Sequence, residues 1–98
     1  MRTYEVIYIV HPDLDDSSFK HINDQVQSAI KDSGGKISKA DIWGKRKMAY
    51  PIRKQKDGLY VLLYTEMDPA FCTELERQLR LQESVMRFQI IATDEDET

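Results

Sequence analysis

The sequence predicts a single α+β domain with the ferredoxin-like split βαβ fold, a four-stranded antiparallel sheet with two helices on one face. First, strand-like and helix-like segments follow one another in the order β-α-β-β-α-β. Second, the first and third strand segments are the most apolar, which suits the central positions of such a sheet. Third, a chain of 98 residues can bury one core but not two.

The first strand and the first helix are predicted from their side-chain periods. Residues 2–10 alternate aromatic and β-branched side chains, which is typical of a central strand. Asp15 or Asp16 can cap the following helix, whose apolar side chains recur at helical spacing. We expect that helix to end at Gly34-Gly35, because glycine accepts the left-handed conformation found past helix ends.

A long edge strand and a hairpin are predicted next. Residues 37–52 are strand-like but imperfect, with a bend or bulge expected at Gly44 and an edge position indicated by Pro51. The polar stretch from Arg53 to Gly58, which ends in Asp57-Gly58, predicts the hairpin turn. Residues 59–67, apolar on both faces, then form a central strand.

The second helix and the last strand complete the fold. Asp68-Pro69 opens the helix with a capping carboxylate and a proline at its first position. Residues 84–92 alternate again, which places Met86 and Phe88 on one face and Val85 and Arg87 on the other. We therefore expect one domain over residues 1–93, followed by an acidic, disordered tail over residues 94–98.

Basic residues are concentrated in one part of an acidic chain. The span from Lys36 to Lys56 holds eight basic side chains and one acid, Asp41, which gives it a charge of +7. The formal net charge of the chain is -3, so the other residues contribute -10. The sequence therefore predicts one basic surface on an acidic body.

Two surfaces are candidates for binding. The basic segment can neutralise phosphates; its candidates are Lys45, Arg46, Lys47, Arg53, Lys54 and Lys56. The alternative is an edge strand whose lysines only discourage aggregation. The uncovered sheet face is unusually apolar and is expected to bind a protein partner, or alternatively unpaired bases; its candidates are Ile7, Ile9, Tyr60, Leu62, Tyr64, Gln89 and Ile91. We expect Trp43 to pack in the core rather than contact RNA.

Catalytic, metal and membrane roles find little support. His11 and His21 have no third ligand at matching spacing, which argues against zinc. Cys72 lies on the apolar stripe of the second predicted helix and is expected to be a buried hydrophobe rather than a nucleophile. No stretch approaches the roughly eighteen apolar residues of a membrane span. With one cysteine and no export signal, the cytoplasm is the expected compartment, with an organellar matrix as the alternative.

Five motifs stand in order along nearly the whole chain, from Met1 to about Ala92. They are Met1-Arg2-Thr3-Tyr4-Glu5, Pro12-Asp13-Leu14, Trp43-Gly44-Lys45-Arg46-Lys47-Met48-Ala49-Tyr50-Pro51-Ile52, Gly58 with Tyr60, and Leu79-Arg80-Leu81 followed by Val85-Met86-Arg87. Together they resemble the family of bacterial small-subunit ribosomal protein six. The resemblance implies a structural protein of the ribosome without enzymatic activity or cofactor.

The same resemblance implies partners and further site residues. It implies binding of small-subunit ribosomal RNA together with ribosomal protein eighteen, as a heterodimer in assembly of the platform. By analogy, the partner occupies the open sheet face, the RNA occupies the basic strand and hairpin, and Arg2 and Arg87 are further RNA-binding candidates. The alternatives are a homo-oligomeric or ligand-sensing domain of the same fold without RNA binding, and an acylphosphatase-like enzyme. The loop His11-Pro12-Asp13 opposes the enzyme, since it offers no anion-binding nest.

Overall fold

The computed structural model describes residues 1–93 and confirms the predicted order of elements. The elements are β1 (Arg2–Val10), α1 (Asp16–Asp32), β2 (Lys36–Ile52), β3 (Gln55–Met67), α2 (Pro69–Leu81) and β4 (Val85–Ala92). The antiparallel strands are ordered β2-β3-β1-β4, so that β1 and β3 are central as expected. The acidic tail predicted over residues 94–98 lies outside the described residues.

The main core lies between one face of the sheet and both helices. Alternate side chains of β1 and β3 enter it, including Val6 and Leu63, which are fully buried. α1 contributes Ile30, and α2 contributes Leu75 and Leu79. Because both helices cover the same face, the opposite face is left for other uses.

Both helices begin at the capping residues that the sequence offers. The carboxylate of Asp15 accepts a hydrogen bond from the backbone N–H of Ser18 at 2.8 Å. Hydrogen bonding from Ser18, first from its side chain and then from this backbone N–H, lowers the pKa of Asp15 because it stabilises the charged form. Asp68 caps α2 in the same way, through the N–H of Ala70 at 2.9 Å.

A buried hydrogen bond joins β1 to α1 inside the core. The hydroxyl of Tyr8 donates to Oδ1 of Asn23 at 2.6 Å, and the two residues are 0% and 4% exposed. Burial, with a smaller effect of the negative charge of Asp24, raises the pKa of the Tyr8 phenol well above its ordinary value. Each polar group satisfies the other, so the pair fixes α1 relative to the sheet.

The turn between β2 and β3 lies at the start of the polar stretch that predicts it. Arg53 and Lys54 form it, with positive φ angles of 52° and 65°. Two successive left-handed residues are typical of the type I′ turn, whose twist matches that of a hairpin. The prediction that the turn ends in Asp57-Gly58 is therefore wrong, and both residues lie inside β3.

Gly58 serves close packing rather than a turn. A Cβ atom at this position would lie 2.2 Å from Cγ2 of Ile9 on the neighbouring strand. Gly44, by contrast, has a positive φ of 77° and stands at a break in the register of β2, which confirms the predicted bulge.

A bulge at the start of β4 exchanges the faces of two side chains. The register shifts between Ile9 and Val10, so that Val10 pairs with Val85 while Ile9 pairs with Arg87. Val85 consequently enters the main core, and Met86 lies on the opposite face. The predicted faces of these two residues are wrong because simple alternation does not account for an inserted residue.

Candidate nucleic-acid and partner interface

The sheet face opposite the helices is divided into a covered half and an uncovered half. In the covered half Ile9, Met48 and Met86 form a second, smaller apolar cluster, with Ile52 and Tyr60 packed against it. Ile9 is only 8% exposed there, although the sequence pattern predicts an open surface residue. This part of the face is occupied by the protein's own side chains.

One of the covering side chains, Met48, comes from a wide bulge in β2, and another, Met86, comes from the start of β4. Lys47 pairs with Asp57 and Ile52 pairs with Gln55, so four residues of β2 face a single residue of β3. The extra residues protrude from the ladder, and Met48 among them folds onto Ile9. Sequence reasoning missed this cover; its only signal is Met48 in an otherwise polar stretch ahead of Pro51.

The uncovered half retains most of the expected partner-binding residues. Ile91 is 37% exposed, Gln89 is exposed, and Ile7 and Tyr64 are half-buried. Leu62 also belongs to this face but is only 7% exposed, since it lies on a central strand with neighbours on both sides. A continuous surface of mixed polarity therefore remains open.

Trp43 lies on the surface, and the expectation that it packs in the core is wrong. It is 43% exposed on the open side of β2, because the bulge at Gly44 turns the chain there. Its ring stacks on that of Tyr60, with centroids 6.1 Å apart and planes within 14°. The guanidinium of Arg46 lies 5.8 Å from the centre of the Trp43 ring.

Tyr50 forms a second arginine–aromatic pair. It protrudes from the wide bulge of β2 and is 54% exposed. The guanidinium of Arg87 lies 5.6 Å from the centre of its ring, and Arg87 Nη1 donates a hydrogen bond to the Tyr50 hydroxyl. The bulge thus brings Arg87 of β4 into the same region as the basic residues of β2. Sequence reasoning did not identify Tyr50 as a functional residue.

The three consecutive basic residues of β2 divide between two faces. Arg46 stands opposite Gly58 and lies on the open side. Lys45 stands opposite Leu59, which packs against the main core, so Lys45 and Lys47 project from the side of the sheet that bears the helices. All three are exposed, and together they surround the edge of the hairpin with positive charge.

The remaining predicted RNA-binding residues occupy different settings. Lys54 is exposed in the turn, and Lys56 lines a small pocket with Met48 and Tyr50. Arg53, however, donates hydrogen bonds to the carbonyl oxygens of Glu83 at 2.7 Å and Val85 at 3.3 Å. Its guanidinium therefore ties the hairpin to the start of β4.

Arg2 is the predicted RNA-binding residue that the fold does not bring to the hairpin. It pairs with Met67, whereas Lys47 pairs with Asp57 on the same strand. Ten residues of β3 separate these two positions, which amounts to roughly 33 Å at the usual rise of a strand. Arg2 therefore stands at the opposite end of the sheet.

Other chemical centres are not found in the part of the chain that the structure describes. Among residues 1–93, no group of three or more His, Cys, Asp or Glu side chains could hold a metal ion. Hydrogen bonds from Arg77 and Gln78 lower the pKa of Glu74 to about 2, but this group lies on the exposed surface of α2. Within the same residues, no helix is long and apolar enough to cross a membrane.

Comparison with known proteins identifies close relatives over nearly the full length. A family model described as ribosomal protein S6 matches residues 3–92. Small ribosomal subunit protein bS6 of Nocardia farcinica is 44% identical over 94 residues, covering 96% of this chain and 99% of the relative. The corresponding protein of Caldanaerobacter subterraneus subsp. tengcongensis is 42% identical over 95 residues, covering 97% and 100%.

A solved structure has the same fold over nearly the full length of the chain. The crystal structure of 30S ribosomal protein S6 from Thermotoga maritima superposes with a TM-score of 0.92 at 30% sequence identity. The match covers 98% of this chain and 91% of that one. Sequence and structure therefore point to the same relatives.

Proposed function

The chain belongs to the family of ribosomal protein S6, and from this premise we propose that it binds small-subunit ribosomal RNA together with ribosomal protein eighteen, as a heterodimer in assembly of the platform. The family consists of structural proteins of the small subunit of the cytoplasmic ribosome and not of enzymes. The joint binding of RNA and a protein partner is the part that is proposed.

The observation that carries the RNA-binding proposal is the concentration of exposed cations around the β2–β3 hairpin. Lys45 and Lys47 project on one side of the strand, and Arg46 and Lys56 border the aromatic side chains on the other. Cations on both sides of a protruding edge can contact phosphates of two RNA segments and release their counterions. The acidic remainder of the chain favours approach of RNA through the basic segment.

The uncovered half of the sheet supports the protein-binding proposal. Ile7 and Ile91 provide apolar contact area, and Gln89 provides hydrogen-bonding groups beside them. Tyr64 adds an aromatic side chain, with the ammonium of Lys39 5.8 Å from its ring centre. This mixture resembles the composition of non-obligate protein interfaces, and it lies apart from the basic hairpin.

A gel-shift titration tests the proposal directly. A small-subunit ribosomal RNA junction fragment is titrated at moderate salt with this protein alone, with ribosomal protein eighteen alone, and with both. Tight binding that requires both proteins is the expected result. If the pair binds no better than either protein alone, the heterodimer is contradicted. Concentration-dependent self-association without RNA binding, measured by light scattering, would instead favour the homo-oligomeric alternative.

A further inference from the structure

The aromatic side chains most exposed on the open sheet face are each held by a cation. The guanidinium of Arg46 lies 5.8 Å from the centre of the Trp43 ring, and that of Arg87 lies 5.6 Å from the centre of the Tyr50 ring. Together with Tyr60, on which Trp43 stacks, we call these residues the aromatic–cation cluster. The cluster lies outside the main core, so core packing does not explain it.

The strand register places the cluster in one row across the sheet. Gly44, next to Trp43, pairs with Tyr60; Tyr60 pairs with Ile9, and Ile9 pairs with Arg87. The wide bulge of β2 carries Tyr50 across to Arg87 at the far end of this row. Flat groups from β2, β3 and β4 thus form a single surface over the covered half of the face.

The cluster is ordered before any ligand arrives. Trp43 is fixed by its stack on Tyr60, and Arg46 is further held by a hydrogen bond from its Nε to the Trp43 carbonyl oxygen at 3.4 Å. Tyr50 is fixed by its hydrogen bond with Arg87. Because these side chains are already restricted, they lose little further conformational entropy when a ligand stacks on them.

The chemistry of the cluster suits unpaired nucleobases. Bases that are not stacked within a helix bind to the faces of aromatic rings and to the planes of arginine guanidinium groups. A phosphate beside such a base would lie near Lys56, which borders the row, and the next phosphates would reach Lys45 and Lys47 around the edge of β2. An apolar protein surface would leave two guanidinium groups to be desolvated, so the observations favour RNA over protein here.

We infer that the aromatic–cation cluster stacks on unpaired bases of the RNA while the neighbouring lysines bind its phosphates. This inference rests on the proposed RNA-binding function and specifies the part of the RNA that is recognised. A junction exposes bases that a continuous duplex keeps inside its stack. The protein should therefore prefer a junction with unpaired nucleotides to a duplex with the same number of phosphates.

The first test uses binding by the complete complex with ribosomal protein eighteen. Tyr50→Leu should weaken binding of the junction fragment by about tenfold, which is within the range found for loss of one stacked base. Tyr50→Phe keeps the ring but removes the hydrogen bond to Arg87, and it should retain most of the affinity. Ile42→Ala is the matched control, because Ile42 is 51% exposed and pairs with Val61, on the helix side of β3. Equal affinity of Tyr50→Leu and the unmodified protein would overturn the inference.

The second test observes Trp43, the only tryptophan in the chain. It is replaced biosynthetically by a fluorotryptophan, ribosomal protein eighteen is left unlabelled, and the fluorine resonance is recorded on adding each partner. Stacking predicts a shift on adding the junction fragment and no comparable shift with ribosomal protein eighteen alone or with a duplex RNA. A shift produced by the protein partner alone would assign the cluster to protein binding and overturn the inference.

The two proposals fail in different ways. RNA binding with an unmoved resonance and an unaffected Tyr50→Leu variant overturns only the stacking inference. Absence of any RNA binding by the unmodified pair overturns the proposed function and the stacking inference together.

Discussion

Replacing Lys45 and Lys47 together by alanine tests whether the hairpin contacts phosphates. Both side chains are exposed on β2. If each neutralises one phosphate of a duplex segment, the slope of log affinity against log salt should fall by about 1.8, and by about 1.4 for a single strand. Over a fourfold change in salt, a difference of 1.8 corresponds to about a twelvefold change in relative affinity. The fold should be retained, because exposed substitutions away from special sites usually change the free energy of unfolding by less than about 0.5 kcal/mol.

The assay is a gel shift of the junction fragment with ribosomal protein eighteen at several salt concentrations. Lys20→Ala with Lys31→Ala is the matched control, because it removes the same charge from α1. That control should leave the slope unchanged, since distant charges are screened beyond about 10 Å at ordinary salt. An unchanged slope in the hairpin variant would refute phosphate contact. An equal fall in both variants would show that only net charge matters.

Four further predictions concern the core and the sheet face. Tyr8→Phe should lower the free energy of unfolding by about 1–3 kcal/mol in urea titration, because it leaves the buried Asn23 oxygen without its donor. The raised pKa of Tyr8 means that only the unfolded state ionises near pH 10.0, so stability should fall as pH rises above that value, and less so in Tyr8→Phe. Gly58→Ala should lower the free energy of unfolding by about 1–3 kcal/mol, because the added methyl group would overlap Cγ2 of Ile9. Ile9→Ala in the same chain should recover part of that loss. Losses that simply add in the double variant would contradict the overlap. Tyr64→Asp should weaken binding of ribosomal protein eighteen while it leaves the melting temperature nearly unchanged. A lower melting temperature with unchanged binding would contradict the assigned face.

The fold could be predicted from the sequence because each element carries a strong local pattern. The alternation in β1 and the capping residues Asp15 and Asp68 act over a few residues, and no tertiary contact overrides them. The extension of the predicted turn to Asp57-Gly58 is wrong for the opposite reason. Asp57-Gly58 is the better turn dipeptide locally, but the small size of Gly58 is required by the close approach of Ile9.

The candidate site could be predicted only in part. Charge density located the basic hairpin, because charges are visible in the sequence regardless of the fold. The distribution of Lys45 and Arg46 over two faces follows from the register, and the burial of Ile9 follows from the wide bulge of β2. The exposure of Trp43 depends on the bulge at Gly44, which changes the direction of a side chain without changing the composition around it.

The pairing of β1 with β4 has a consequence for synthesis of the chain. β1 is central in the sheet, yet one of its two neighbours is β4, the last strand among the described residues, and Thr93 N donates to Thr3 O at 3.0 Å where they meet. Until β4 has left the ribosomal exit tunnel, β1 is an unprotected edge of highly apolar sequence. A nascent chain arrested after α2 should consequently be prone to aggregation, and the complete sheet can form only once translation has passed β4.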